Sequence, residues 1–174
     1  PTEVDLAGEV PGAIKVPGDP MWSPSDLGTN SFGQGIAVTP LQMVNAVSAL
    51  ANGGKLMRPY VVAERVYDGE VLVTQPTVIH TAIAPEYADQ IADMMVHTVE
   101  IGNKKARVAD YTVAGKSGTA QIPTVNGYLQ DQVNSSFVGF APAEEPAVVM
   151  LVRLERPDQE VTLWASDNAA PIFS

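Results

Sequence analysis

The chain has 174 residues, 45% of them hydrophobic, which suits one packed domain, and only 17% charged, against ~25% in ordinary soluble domains. Ten basic and 20 acidic residues give a formal net charge of −10, which argues against a nucleic-acid partner or an anionic lipid surface, since both need clustered Lys and Arg. There are no cysteines, so disulfides and thiolate metal sites are excluded; only His80 and His97 offer imidazole, no carboxylate pair stands near either at a metal-site spacing, and neither a metal nor a cofactor is expected.

Residues 1–35 are rich in Gly and Pro and predict an extended, loop-rich lead-in with one short strand and no long helix. The segment "TPLQMVNAVSALANGG" then reads as a helix. Thr39 is its N-cap, Pro40 its first residue and Gln42 the reciprocal partner in a capping box. Leu41, Val44, Val47 and Leu50 or Ala51 recur at helical spacing, and Gly53 and Gly54 end it. Two β-rich runs flank Asp68-Gly69 and predict a hairpin. His80 falls in an expected loop beyond it. "APEYADQIADMMVHTVEIG" is a second helix, with Pro85 near its start, Ile91, Met94, Met95 and Val99 as its buried stripe, His97 on its face and Gly102 past its end. Three β segments follow, at 111–121, 134–141 and 147–155; the short polar turn "PAEEP" makes the last two an antiparallel hairpin beside the first. The longest apolar runs, such as "AVVMLV", fall far short of the ~20 residues that span a bilayer. No secretory leader opens the chain, and its start at Pro1 rather than Met reads as an excerpt or a processed product.

The stretch "YTVAGKSGTAQIP" places a lysine between two glycines at a strand end. A phosphate-binding loop needs a glycine five positions before the Gly-Lys pair; that position holds Asp110, and "GTAQIP" starts a helix poorly. A peptide-gripping strand edge fits better. Lys116 supplies a positive field and a proton-relay partner beside a reacting centre. Ser117 and Thr119 offer hydroxyls to a substrate carboxylate. Gly118, lacking a side chain, lets an extended peptide lie against the strand and pair with it.

The blocks "SFGQGIAVTPLQMVNAVSALANGG", "AGKSGTAQ", "SFVGFAP" and "AAPIF", preceded by "DLAGEVPG", come in one order and span nearly the whole chain. In that order the chain resembles the C-terminal half of the transpeptidase domain of class B penicillin-binding proteins, the cell-wall D,D-transpeptidases. The superfamily motifs are Ser-x-x-Lys, Ser-x-Asn or Ser-Asp-Asn, and Lys-Thr-Gly; here Ser117 stands where the third often has Thr, and keeps its hydroxyl. The resemblance implies an α/β fold of α+β type, the penicillin-recognising serine transpeptidase/β-lactamase-like fold, with a mostly antiparallel five-stranded sheet and helices on both faces. It implies that Lys116 acts as electrostatic and proton-relay residue and that Thr119 gives its backbone N–H to the oxyanion hole. Ser117, Gly118 and Thr119 would bind the carboxylate of a peptidoglycan stem peptide or β-lactam.

The first two motifs are missing. No serine of the chain is followed three residues later by lysine, so no nucleophile is assigned; a serine without an adjacent base is a weak one. Ser166-Asp167-Asn168 spells the second motif, but it follows the lysine strand instead of preceding it. In the family its place is the turn from the last strand into the final helix, and no catalytic role is assigned to it. Gln34, between Gly33 and Gly35, is read as part of a glycine-shaped loop. Residues 1–174 are therefore expected to be the C-terminal portion of a transpeptidase domain, incomplete in itself. The membrane anchor, an N-terminal module and the nucleophile-bearing half would lie upstream, on the outer face of a bacterial membrane. The isolated chain is expected to be inactive, to expose an apolar face to the missing half, and through it to self-associate, swap elements or bind its complement. The competing readings are a non-catalytic β-lactam sensor or cell-wall scaffold and, more remotely, a nucleotide binder.

Overall fold

The computed structural model describes residues 1–125, 127–158 and 162–174. Its first departure from the sequence reading is in the lead-in, where Pro24–Ser31 form helix α1. Ser23 caps it: its Oγ accepts from the Ser25 N–H, its own N–H donates to the Asp26 carboxylate at 2.7 Å, and Pro24 presets the first helical φ. The surrounding Gly and Pro hid this Ser-Pro-x-Asp start. The expected strand is a single bridge between Ala13 and Ala37. Asp26 is the residue that α1 buries, and Lys15 Nζ donates to it at 2.6 Å. The helix thus docks by an ion pair, while Leu27 and Phe32 stay exposed.

Two more carboxylates hold the lead-in. Glu9 accepts from the N–H and hydroxyl of Thr2 and from Glu3 N, and Asp5 accepts from Val61 N and Val62 N at 2.7 and 3.0 Å. The Val61 and Val62 amides on Asp5, the Thr2 amide and hydroxyl on Glu9, and the Lys15 ammonium and Ser23 amide on Asp26 pull each carboxyl below its ordinary value. Folded values lie below unfolded ones, so this stabilisation is complete above the unfolded values near ~4 and is lost as pH falls through the folded ones. Residues 1–31 are expected to lose amide-exchange protection between about pH 5 and about pH 2, after correction for intrinsic exchange. Protection unchanged at the acid end would contradict this.

Helix α2 (Pro40–Ala51) starts as the sequence predicts. Thr39 N donates to Gln42 Oε1 at 2.9 Å and Gln42 N donates to Thr39 Oγ1 at 3.2 Å. Gly53 and Gly54, with φ of 58° and 83°, end it. Four short strands follow: β1 (Lys55–Met57), β2 (Glu64–Tyr67), β3 (Glu70–Val73) and β4 (Val78–Thr81). β2 and β3 form the predicted hairpin; Asp68 (φ 48°) and Gly69 (φ 81°) both take the left-handed conformation a type I′ turn requires. β1 and β4 pair antiparallel, with His80 opposite Leu56. His80 is therefore a strand residue and not a loop residue, a correction traceable to strands too short to show alternation.

Helix α3 (Pro85–Ile101) buries Ala88, Met95 and Val99. His97 lies on its exposed face, as expected. Met94 does not belong to the stripe: it is 65% exposed, because it sits about 100° round the helix from Met95, and Ala88 and Ala92 take its place.

The main sheet is β5 (Ala114–Thr124), β6 (Gly127–Ala141) and β7 (Val148–Glu155), antiparallel in the order β5-β6-β7. β6 begins at Gly127 and not at 134, because its first part runs on as a polar ribbon with the tail of β5 and lacks apolar alternation. The sheet holds three strands where the resemblance implies five; β1 to β4 pair in separate two-stranded ribbons. Side chains of β6 alternate between two cores. Phe137, with Met150, Val152 and Leu154, packs on the C-terminal helices α4 (Ala165–Asn168) and α5 (Ala170–Phe173), where the Phe137 and Phe173 rings meet edge to face at 4.9 Å. Val138 and Phe140 pack on Val47 of α2 and Met95 of α3. This is the expected α+β architecture, with an antiparallel sheet covered by helices on both faces.

Candidate active site

Strand β5 has β6 on one side and, among the described residues, no strand on the other. Lys116 pairs with Val138, Ser117 with Phe137, Gly118 with Ser136 and Thr119 with Ser135. In an antiparallel ladder, peptide groups of successive residues point alternately to opposite sides. Arg156 N donates to Val133 O, so odd-numbered residues of β6 turn toward β7 and even-numbered ones toward β5. On β5, the peptide groups of Ala114, Lys116 and Gly118 are thereby taken up by β6. Those of Ser117 and Thr119 point to the open edge. The Ser136 hydroxyl donating to Gly118 O at 3.3 Å fits this phase.

Side chains alternate in the perpendicular direction. Lys116 and Gly118 share the face of Val138; Ser117 and Thr119 share the face of Phe137. The four residues thus do not project from one face of the strand. They meet at its edge instead: the exposed Lys116 bends its Nζ over to donate to Ser117 O at 2.7 Å. A Cβ on Gly118 would stand 2.9 Å from Ser136 Oγ, so the bare backbone here suits the strand as well as an approaching peptide. Because β5 stays a strand through Thr124, where a phosphate loop would begin its helix, the nucleotide reading falls.

Thr119 has a second attachment. Its Oγ1 accepts from Ala165 N at 3.2 Å, satisfying one of the free N–H groups that open α4. Asp167 pairs with Lys105 at 2.7 Å, and Asn168 donates to the fully buried Ser135 hydroxyl at 3.2 Å. Ser166-Asp167-Asn168 therefore lies within the short helix α4, docked behind the strand and across the sheet from Lys116. Ser135 was legible as a polar residue on the apolar face of an alternating strand; its partners, distant in sequence, were not. Gln34 sits between left-handed Gly33 and Gly35, its N–H donating to Thr29 O, which is the expected loop geometry.

A cavity of about 370 Å³ lies between α2 and the β1–β4 ribbon, lined by Gln42, Asn45, Leu56 and His80, and one of about 170 Å³ by Arg58, Tyr60, Arg65 and Thr74. Neither touches β5. The Lys116 ammonium and the outward peptide groups of Ser117 and Thr119 stand along an open edge, while the Thr119 hydroxyl is turned to Ala165 N.

The family model described as "Penicillin binding protein transpeptidase domain" matches residues 1–174. The chain is 38% identical over 175 residues to stage V sporulation protein D of Bacillus subtilis, covering 98% of this chain and 27% of that protein. It is 32% identical over 176 residues to a probable peptidoglycan D,D-transpeptidase, PbpC, of Pseudomonas aeruginosa, covering 100% of this chain and 29% of that one. Penicillin-binding protein A of M. tuberculosis, solved as a ceftriaxone acyl-enzyme complex, superposes with a TM-score of 0.77 at 29% identity, over 88% of this chain and 35% of that one. The chain thus spans less than a third of the length of these two curated relatives.

Proposed function

This chain belongs to the penicillin-binding protein transpeptidase domain family, and from that premise we propose that it is the C-terminal portion of a peptidoglycan D,D-transpeptidase. The observation that carries the reading is the open edge of β5, where the outward peptide groups of Ser117 and Thr119 flank Gly118 beside the Lys116 ammonium. An extended D-Ala-D-Ala tail pairs with that edge as an added strand. To do so it displaces Lys116 from Ser117 O, which frees the ammonium for the reacting centre. The tail's carboxylate accepts from the Ser117 hydroxyl. The Thr119 hydroxyl, already accepting from Ala165 N, still has its own proton to give.

The nucleophile is a serine of the parent protein outside this chain. Its Oγ attacks the carbonyl of the penultimate D-Ala and loses its proton to a base. The Thr119 N–H takes the developing oxyanion; such a donor typically contributes ~10²–10³ in rate. The C–N bond breaks, and D-Ala leaves with a proton on its amine. An amine of a neighbouring stem peptide then attacks the ester, forms the cross-link and returns the serine. A β-lactam enters as a stand-in for D-Ala-D-Ala, and its ring C–N bond opens onto the same serine.

Met21, Leu27 and Phe32, at 79%, 71% and 69% exposure, are apolar positions that the nucleophile-bearing half would cover. Without that half the chain self-associates through such surfaces. We place the parent's reaction on the outer face of the bacterial membrane; among the described residues of this chain no helix is long and apolar enough to cross one.

The test is covalent labelling. A fluorescent penicillin should label the full-length parent, and intact-mass spectrometry of residues 1–174 alone should show no adduct. A stable adduct on the isolated chain would overturn the division of labour. A folded parent that never labels would favour the non-catalytic sensor or scaffold.

A further inference from the structure

We propose that Asn168 and Ser135 are positioning residues that hold the Thr119 N–H where the oxyanion forms; this rests on the transpeptidase reading above. Thr119 and Ser135 are directly opposite each other on β5 and β6, and both grip the turn from 162 into α4. Thr119 Oγ1 accepts from Ala165 N at 3.2 Å. Ser135 Oγ donates to Leu163 O at 3.1 Å and accepts from Asn168 Nδ2 at 3.2 Å. Asn168 Nδ2 donates in addition to Thr162 O at 3.1 Å.

The orientation of the amide follows from its partners. Thr162 O accepts only, and the Ser135 proton is committed to Leu163 O, so the NH₂ must face both. The cost of this choice is visible: among the described residues Asn168 Oδ1 is buried without a partner. A buried acceptor left unmatched calls for an explanation, and the other end of the same amide supplies one. It fixes the turn that presents Ala165 N, and Ala165 N fixes the rotamer and height of Thr119. Among the described residues the edge of β5 has no strand beyond it to hold Thr119 from outside. The anchor therefore comes from beneath the sheet, through a hydroxyl, leaving the N–H free for substrate.

The test uses the full-length parent with Asn168→Ala, Ser135→Ala and, as control, Asp167→Ala. The control removes the exposed Lys105–Asp167 pair from the same segment without touching the chain of hydrogen bonds. With a chromogenic cephalosporin, the limiting acylation rate is expected to fall about tenfold in the first two variants, since small misplacements of a catalytic group cost up to ~10², with half-saturation changed less than about twofold. The control should retain both values. Selective ¹⁵N-threonine labelling reads the hold directly: the Thr119 amide resonance should shift in Asn168→Ala and stay in place in Asp167→Ala. Ser135→Ala keeps the Asn168–Thr162 bond and is the milder variant should Asn168→Ala fail to fold. Unchanged acylation in a folded variant, or an equal loss in the control, overturns the proposal, as does a Thr119 resonance that does not move. A wild-type parent that is never acylated, while that resonance still responds, overturns the transpeptidase reading alone.

Discussion

Replacing Lys116 with alanine in the full-length parent is expected to slow β-lactam acylation by about 10²–10⁴-fold, the range for loss of a positioned proton-transfer group. Binding before the chemical step should weaken far less, because the edge peptide groups of Ser117 and Thr119 remain. The geometry makes this sharper than the usual loss of a surface charge. Lys116 is exposed and, among the described residues, its ammonium is held by one carbonyl, Ser117 O, on the strand edge that a substrate would occupy. Removing it leaves that carbonyl open to solvent or substrate and disturbs neither core cluster, so the melting temperature should stay within about a degree, as for surface substitutions generally. Lys116→Arg separates two roles. Arginine keeps the charge but does not give up its proton. Substantial recovery with arginine assigns Lys116 to field stabilisation; failure to recover assigns it to proton transfer. Acylation of the alanine variant at the wild-type rate would remove the chemical footing of the proposed site.

The sequence carried short local patterns more completely than the sheet around them. "GKSGT" was readable as part of one strand, which β5 bears out, with a bare backbone, an ammonium and two hydroxyls as its candidate chemistry. The capping box at Thr39 and Gln42 and the left-handed turn at Asp68-Gly69 were readable because their partners lie within three residues. What escaped depends on contacts between distant segments. α1 buries a carboxylate against Lys15 and not an apolar stripe, so hydrophobic periodicity had nothing to register. The early start of β6 is imposed by pairing with the tail of β5. That Lys116 and Ser117 lie on opposite faces follows from strand alternation, but their reunion through Nζ and a carbonyl at the edge required coordinates. The docking of Ser166-Asp167-Asn168 behind Thr119 joins positions 46 and 33 apart.

The second large effect should come from a glycine remote from any substrate. Gly139 of β6 lies opposite Gly115 of β5, and the two form a side-chain-free crossing beneath the active edge. A Cβ added at Gly139 would stand 2.5 Å from Ala114 O and 3.1 Å from both the Gly115 Cα and the Phe173 ring. The nearest of these is backbone and cannot rotate away. Relief requires β5 and β6 to separate or Phe173 to leave its edge contact with Phe137, and both rings are in the core. Gly139→Ala is therefore expected to cost about 3 kcal/mol, the upper part of the range for overpacked cores, and to lower the melting temperature of the parent by at least ~5 °C. Since β6 sets the height of β5, acylation should also fall in whatever fraction remains folded. Gly28→Ala is the control: it lies in α1 with nothing within 4 Å of the added Cβ, and should be neutral or stabilising by about 0.5 kcal/mol. If Gly139→Ala melts within a degree of wild type, the close crossing of β5 and β6 is not a constraint, and the placement of Lys116 and Thr119 on a rigid edge loses its support.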